Sequence, residues 1–489
     1  MFRNIWLFFF CILFINQTEA QTAFDALRFS NLRPGGTARY VGVGGSLGAL
    51  GTDFSVLSTN PAGLAMYRRS DFSITPSLLV TATDAQLRDG SDTPLRTDDR
   101  SSFNLNNLGV VFANRSSNPR WKTANFGMGL NRLANFNQSV FYEGKTPGSI
   151  VTRWQDFANS GEGISDFEEG LAIDAGALYQ LDGNDFYFSD FEGSESAEVN
   201  REETIISKGS INELVFSFAG NYEERIMIGA TLGIPFVSFT EEKIYEEEDM
   251  GEGTDGDIPV FNFLNFRQNL NTTGAGVNFK LGLIYRLNQM VRLGVAFHTP
   301  TLYWLDDSFD AALTYSYTDG NGESTLSADS PDGLFEYRLR TPWRFIGSAG
   351  VVVGRRGFIT GEIEWVDYRN ASFDFGEFGQ SEQETNQEIN DLLTQTLNVR
   401  IGGELVLDIF QLRGGFQILN SPLEADDTVN FAYSFGAGFR QSSFYMDFAY
   451  VRTLFEETYV PYVVDQAPIQ YVDNNVSNNR FMLTVGFRF

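Results

Sequence analysis

The sequence predicts an all-β protein, a transmembrane antiparallel β-barrel of about 14 strands. Three observations lead to this fold class. The chain ends in a strand with one apolar face, the same alternating pattern recurs through its C-terminal two thirds, and the connections between the patterned segments alternate between short and long. These are the features of barrels that cross a membrane with an even number of antiparallel strands.

The last nine residues alternate strictly between two faces. One face carries apolar side chains only: Phe481, Leu483, Val485, Phe487 and Phe489. A strand has a period of two, and about nine to eleven tilted residues cross a bilayer. The chain therefore ends in a strand whose apolar face requires a cover, and lipid is the cover that a barrel strand receives.

Earlier segments repeat this alternation and predict the other strands. We place strands near residues 72–81, 102–113, 123–141, 212–220, 226–240, 273–287, 291–304, 335–353, 358–370, 396–407, 411–419, 429–440, 444–454 and 481–489. The first and last of these strands must pair, because closing the ring removes both sheet edges.

The connections support this count. Short ones at 114–122, 221–225, 288–290, 354–357, 408–410 and 441–443 alternate with long ones. Short periplasmic turns and long extracellular loops are typical of outer-membrane barrels. The longest loop, 142–211, is rich in aromatic residues, and we expect it to form an ordered cap with a short helix near 164–180.

The N-terminus and the composition indicate the compartment. Arg3 precedes an apolar run and a small-residue site ending at Ala20, which predicts a signal peptide over residues 1–20. The only cysteine, Cys11, falls within it, so the mature chain has no thiol chemistry. The formal net charge of −28 argues against nucleic acid as a partner. We expect a multi-pass protein of the outer membrane.

Ahead of the first strand lies a segment rich in small residues, which opens with a short helix predicted near Ala23 to Arg28. It contains A-R-Y-V-G-V-G-G-S at 38–46 and N-P-A-G-L at 60–64. A phosphate-binding loop is excluded, because position 47 lacks the third glycine and no lysine follows at the required spacing. The combination resembles the outer-membrane transporters of long-chain fatty acids and other hydrophobic compounds, the FadL/TodX type, over residues 37–65.

The resemblance implies a hatch over residues 21–68 that plugs the lumen of a barrel over residues 69–489. Asn60, Pro61 and Ala62 would form a gating motif at the junction of hatch and wall. A purely structural role is the alternative: Asn60 and Pro61 would form the turn that directs the chain into the first strand.

The resemblance also implies passive uptake of hydrophobic molecules, most simply long-chain fatty acids or similar amphipathic compounds, with exit sideways through a gap in the wall into the membrane lipid. No cofactor is expected. A terminal aromatic such as Phe489 resembles the signal read by the barrel insertion machinery. The alternative is a non-transporting subunit of a secretion or insertion complex, which would bind outer-membrane proteins through its extracellular loops.

The residues give little support for an enzyme. His298 is the only histidine, so a multi-histidine metal centre is excluded, and no Gly-x-Ser-x-Gly elbow is present. By alternation His298 faces the lumen, where a polar lining role is the simplest reading. Some relatives are described as haemin receptors, but one histidine supports a haem site weakly.

Cations predicted to face the lumen are the candidate ligand-binding residues. Alternation directs these side chains inward: Lys280, Arg286, Arg292, Arg400, Arg413, Arg440 and Arg488. Those near turns are expected to pair with carboxylates such as Glu362, Glu364, Glu404 or Asp447. Lys280 and Arg400 lie farther from the turns and are the better candidates for binding a ligand carboxylate.

Overall fold

The structure is a computed structural model that describes residues 21–33, 35–88, 90–161, 163–194, 197–249, 258–376, 378–464 and 467–489. The predicted signal peptide over 1–20 lies outside these residues. The strands are β1 Asp71–Leu87, β2 Arg96–Phe112, β3 Trp121–Asn135, β4 Gln138–Pro147, β5 Tyr179–Gln180, β6 Tyr187–Phe188, β7 Glu198–Tyr222, β8 Ile226–Glu248, β9 Phe261–Arg286, β10 Val291–His298, β11 Leu302–Asp319, β12 Gly322–Asp329, β13 Gly333–Arg340, β14 Arg344–Val353, β15 Gly357–Asp367, β16 Ser372–Asp374, β17 Gln395–Leu407, β18 Phe410–Asn420, β19 Val429–Arg440, β20 Phe444–Tyr459 and β21 Val472–Arg488.

The helices are few and short. The α-helices are α1 Ala23–Ser30, α2 Ala38–Gly42, α3 Ile150–Ser160, α4 Glu169–Asp174 and α5 Gly379–Leu392. Three further segments are 3₁₀ helices: Phe54–Ser58, Pro61–Met66 and Tyr368–Asn370. Within the described residues, no helix has both the length and the apolar character needed to cross a membrane.

Fourteen strands form a closed antiparallel ring, which confirms the predicted fold class. The ring runs through β1, β2, β3, β7, β8, β9, β10, β14, β15, β17, β18, β19, β20 and β21. It closes as predicted, because β21 pairs with β1 from Asp71 opposite Arg488 to Leu87 opposite Val472. The remaining strands of this sheet lengthen the wall at the end where the long connections lie, which we call the long-loop end.

Side chains alternate along the wall between the lumen and an apolar outer belt. On β21 the outward residues Phe481, Leu483 and Phe487 are exposed, whereas Met482 and Thr484 are buried. Phe489 is 67% exposed, as its predicted outward direction requires. Trp304, Trp343 and Trp365 stand on the outer face near the long-loop end, where an aromatic girdle is expected at a membrane interface.

Three of the predicted strands are interrupted in the structure. The strand predicted over 123–141 breaks between β3 and β4, the one over 291–304 breaks between β10 and β11, and the one over 335–353 breaks between β13 and β14. Pro300 and Pro342 lie in the second and third breaks; each lacks the N–H needed for a ladder hydrogen bond.

The predicted loop 142–211 is shorter than expected, because β4 continues to Pro147 and β7 begins at Glu198. The loop between these two strands contains α3 and α4, which share an apolar core with β9 and β11. This core includes Trp154 of α3, Phe191 and Tyr462. The helix predicted near 164–180 is only the six residues of α4, and the longer α3 was not predicted.

Candidate functional site

The N-terminal segment occupies the lumen. Almost every residue from Gly35 to Tyr67 is buried, and its backbone hydrogen-bonds to inward side chains of the wall. The Ala38 amide donates to Thr484 Oγ1 at 2.7 Å, and the Gly48 amide donates to Glu362 Oε2 at 3.2 Å. The segment therefore blocks a direct aqueous path through the ring.

Asn60, Pro61 and Ala62 lie at the start of the second 3₁₀ helix. The Asn60 side chain caps this helix by accepting from the Ala62 amide at 3.2 Å, and its Nδ2 donates to Gly48 O at 2.8 Å. Pro61 follows at the first helical position, where its fixed φ is favourable. The motif thus has the turn geometry expected from its sequence.

A pair of wall glycines forms the surface on which this motif rests. Gly229 on β8 is directly opposite Gly282 on β9. A Cβ at Gly229 would overlap the Pro61 backbone, and one at Gly282 would overlap the Asn60 side chain. The absence of both side chains lets the motif pack against the wall backbone.

Lys280 faces the lumen beside this motif, in a buried polar cluster. Its ammonium group contacts Glu213 in an ion pair and donates to Asn278 Oδ1 at 2.9 Å. Glu213 also accepts from Ser58 Oγ at 2.8 Å, so the cluster joins the N-terminal segment to the wall. His298 faces the lumen, the direction predicted from alternation; it is buried there, and its Nε2 lies 2.6 Å from Thr59 O.

Arg400 lies in a second buried cluster. Its guanidinium donates to Glu362 Oε1 and to Glu364 Oε1, both at 3.0 Å, and Arg344 contacts Glu364 Oε2 at 2.9 Å. Glu362 is also the acceptor of the Gly48 amide. Arg400 therefore supports the carboxylate that holds the N-terminal segment.

The other predicted lumen cations lie toward the short-turn end. Arg413 contacts Glu404 and Asp447 at 2.7 Å each, and Arg440 lies 3.6 Å from Asp447. The further pairings are Arg488 with Asp71 at 3.4 Å, Arg286 with Glu224 at 3.1 Å, and Arg292 with Leu50 O at 3.3 Å.

A small cavity lies between the Lys280 cluster and β3. Its volume is about 40 Å³, which is enough for a few water molecules only. The lining includes Ser30, Thr59, Leu133, Lys280 and His298. A cavity of this size does not accommodate a long alkyl chain.

The wall opens between β2 and β3. Their ladder has six residue pairs, from Asn107 opposite Asn131 to Phe112 opposite Phe126, and β2 continues beyond it without β3 as partner. On the β3 side, the Gly35 amide donates to Arg132 O at 2.8 Å and the Arg33 amide donates to Leu133 O at 2.9 Å. The N-terminal segment thus takes the place of β2 along the edge of the opening.

Beyond the opening, the chain between β3 and β4 turns into the lumen. Thr81 of β1 donates to Asn137 O at 3.0 Å, and the Phe136 ring packs 6.2 Å from Phe29 and 5.4 Å from Phe239. The alternation predicts one strand over 123–141 and no bend within it. The available signal was the polar run Asn135-Phe-Asn-Gln138, which interrupts the apolar alternation.

Among the described residues, no group of three or more histidine, cysteine, aspartate or glutamate side chains is arranged to hold a metal ion. The polar clusters of the lumen instead connect charged wall residues to one another and to the N-terminal segment.

Solved structures share this architecture, although the sequence matches no protein-family model and no curated protein. A Pseudomonas aeruginosa FadL homologue superposes with a TM-score of 0.55 at 13% identity, over 94% of this chain and 99% of that one. The Pseudomonas putida toluene transporter TodX gives 0.52 at 14% identity, over 93% and 99%. The Ralstonia pickettii toluene transporter TbuX gives 0.52 at 13% identity, over 93% and 98%. The protein therefore has the fold of the FadL and TodX type.

Proposed function

We propose that the protein is an outer-membrane channel for the passive uptake of hydrophobic molecules. The closed ring with an apolar outer belt suits a position within a bilayer, and the fold is shared with two toluene transporters. We propose an orientation in which the long-loop end is extracellular, and the N-terminal segment then acts as a hatch.

The opening between β2 and β3 is the observation that carries this proposal. It lies beside the apolar outer residues Phe103 and Leu108, and the hatch lines its inner edge. A hydrophobic molecule that leaves through it enters lipid directly and gains about 0.8 kcal/mol for each CH₂ that it buries. A water-filled path to the periplasm is then unnecessary.

Long-chain fatty acids or similar amphipathic compounds are the substrates we infer. Lys280 and Arg400 are the candidate ligands for a carboxylate in the lumen. Each of them already holds a wall glutamate, so a substrate carboxylate would have to exchange with Glu213 or with Glu362 and Glu364. Such an exchange would loosen the contacts that those glutamates make with the hatch.

Asn60, Pro61 and Ala62 are the proposed gating motif. They rest on the glycine pair between β8 and β9 and are one residue from Thr59, the partner of His298. Movement of this motif would release the hatch near the cavity at Lys280.

Uptake by cells with and without the gene tests the proposal. With labelled oleate and labelled toluene supplied separately at limiting concentration, we expect at least one to enter faster when the gene is present. Equal rates for oleate would refute the fatty-acid version. Equal rates for both compounds and for other apolar probes would refute the channel.

The alternative role, a non-transporting subunit of an outer-membrane complex, has one supporting feature. The extracellular extensions of β4, β7 and β8 carry an outward row of carboxylates, Glu143, Glu202 and Glu246, which partner proteins could contact. Pull-down in mild detergent distinguishes the roles, because stoichiometric partner proteins without bound lipid would favour the subunit.

A further inference from the structure

Three arginines lie at or near the opening between β2 and β3: Arg132 on β3, Arg33 beside it, and Arg480 on β21, which pairs with β1. They lack the ion pairs that hold Lys280, Arg400 and Arg413. No described residue forms an ion pair with Arg33, Arg132 or Arg480, although the chain has 63 acidic residues against 35 basic ones. We propose that these arginines bind the anionic headgroup of a single-chain amphiphile at the inner mouth of the opening. This inference rests on the proposed channel function and specifies its substrate class.

Arg132 spans the opening itself. It lies at the point where β3 loses β2 as a partner, and its guanidinium donates to Asn104 on β2 and, at 3.1 Å, to Asn212 on β7. Both acceptors are neutral amides. The positive charge in the plane of the wall is therefore hydrogen-bonded but not neutralised.

Arg33 lies on the adjacent backbone, because its amide bonds to Leu133, the residue after Arg132. Its guanidinium stands 5.5 Å from the centre of the Phe455 ring. Glu457 and Glu364 attract its charge from beyond ion-pair distance, while Arg400 repels it. Arg33 is half-buried, and no residue in the described part of the chain accepts a hydrogen bond from its guanidinium.

Arg480 completes the cluster from β21. Its position opposite Leu79 directs it into the lumen, since Met482 and Thr484 on the same face are buried. Its charge interacts unfavourably with those of Arg132 and Arg33. No described residue accepts a hydrogen bond from its guanidinium. A guanidinium has five N–H donors, and a bound anion would satisfy several while relieving the repulsion.

The surroundings favour an amphiphile over a small soluble anion. On the outer side of the opening Phe103 is 79% exposed on β2, and on the inner side Phe136 and Leu133 are close to the hatch. A headgroup at the arginines would leave an alkyl chain between apolar side chains and the membrane lipid. The site therefore selects a molecule with one negative end and one apolar end.

Binding of a matched acid and alcohol tests this site. Purified protein in a neutral detergent is titrated with cis-parinaric acid, a fluorescent 18-carbon carboxylate, and with the corresponding alcohol. We expect the native protein to bind the acid more tightly than the alcohol. The double variant Arg33→Gln/Arg480→Gln should lose about tenfold in affinity for the acid and little for the alcohol.

Controls separate charge from structure. Arg33→Lys/Arg480→Lys should retain part of the preference for the acid. Arg355→Gln changes an exposed residue of the short turn before β15 and should change neither affinity.

Competition with oleate, lysophosphatidylglycerol and inorganic phosphate identifies the source of the anion. Displacement by either amphiphile but not by phosphate supports the proposal, and displacement by phosphate at equal concentration contradicts it.

The outcomes also distinguish this inference from the channel proposal. Equal affinity for acid and alcohol in the native protein, unchanged in the double variant, would overturn the arginine site and leave the channel intact. Failure of the native protein to bind either ligand, together with absent uptake, would refute the channel itself.

Discussion

At the scale of single residues, the interior depends on positions where a side chain is missing as much as on those where one is present. Gly229 and Gly282 bring the wall backbone against Asn60 and Pro61, and Gly402 and Gly415 do the same for Val43 and Gly44. The two glycines of each pair are cross-strand neighbours that face the lumen. The N-terminal segment is thus positioned by shape as well as by hydrogen bonds to the wall.

We predict that Gly282→Ala unseats the hatch. The added methyl group would overlap Asn60, and overpacking of this kind costs about 1–3 kcal/mol. The midpoint of thermal unfolding should fall and small-ion conductance in planar bilayers should rise. Gly414→Ala is the matched control, because a Cβ there meets open space. Identical behaviour of the two variants would contradict the seating role.

A second prediction concerns pH. Glu202 lies on the part of β7 at the long-loop end, where a hydrogen bond to Glu246, burial and the charges of Glu246 and Glu143 raise its pKa to about 7. The folded protein then holds a proton that the unfolded chain releases above about pH 4.5, so stability falls as pH rises from 4.5 to 7 and stays lower above it.

Glu202→Gln should therefore raise the midpoint of unfolding at pH 8 and leave it nearly unchanged at pH 4. Glu384→Gln, on the exposed face of α5, serves as the control. A variant that is equally stabilised at both pH values would contradict the assignment to Glu202.

At the scale of elements, α1 and the bend between β3 and β4 support each other. Phe29 of α1 is fully buried and packs edge-on against Phe136 and Phe239. Phe24 on the same helix is 52% exposed. The helix is therefore held to the bend mainly through one aromatic side chain.

Phe29→Ala should detach α1 from the bend, since removing a buried phenylalanine costs about 3–5 kcal/mol. We expect faster amide hydrogen exchange over residues 21–33, measured by mass spectrometry, with little change over β17 to β19. Phe24→Ala should leave exchange unchanged. Equal acceleration in both variants would show that Phe29 has no special role.

The elements also show what sequence can and cannot predict. Alternation located the ring strands and the inward direction of Lys280, Arg400 and His298, because a period of two decides the face of a residue wherever a strand is regular. It did not reveal Arg132 as part of the opening, because β3 loses its neighbour there and the period no longer reports direction. The alternation predicts a last strand over 481–489 only and places Arg480 in the preceding loop, because its polar neighbours Asn478 and Asn479 hide the earlier part of β21.

The sequence likewise predicts some ion pairs of the lumen and not others. The sequence predicts ion pairs for the cations near the turns, and Arg413 forms such pairs with Glu404 and Asp447. It does not predict the pairing of Arg400 with Glu362 and Glu364, because Arg400 lies farther from the turns and is predicted, with Lys280, to bind a ligand carboxylate. Glu213, the partner of Lys280, is not predicted either, because the two residues are on β7 and β9, which are separated by β8; Gly233 of β8 leaves room for them to meet. Contacts between strands that are not neighbours depend on the curvature of the wall and on small residues in the strand between them, and neither can be read from local periodicity.

At the scale of the whole molecule, the C-terminal strand is the element that closes the ring, so the barrel and its lumen form only when this strand is in place. β21 pairs along nearly its whole length with both β1 and β20. Arg488 at its end is tied to Asp71, and Phe489 projects outward beside them. Assembly of the lumen therefore depends on delivery and closure of this last strand.

Deletion of Phe489 should lower the amount of folded protein in the outer membrane if this aromatic end is recognised by the insertion machinery. The measurement is the ratio of folded to unfolded protein in membrane fractions, from heat-modifiable migration in gels. Phe489→Tyr should retain assembly, and Phe489→Ser should resemble the deletion. Normal assembly of the deletion variant would contradict the prediction.

The central claim is that hydrophobic molecules pass through the lumen only when the hatch moves. The Ala38 amide and the Thr484 side chain are 2.7 Å apart, and the mature chain predicted from the sequence has no cysteine, so Ala38→Cys/Thr484→Cys offers a reversible tether between hatch and wall. Uptake of labelled oleate by cells carrying this variant should stop under oxidising conditions and return after reduction, with both single-cysteine variants unaffected. Full uptake through the oxidised, cross-linked protein would contradict the account.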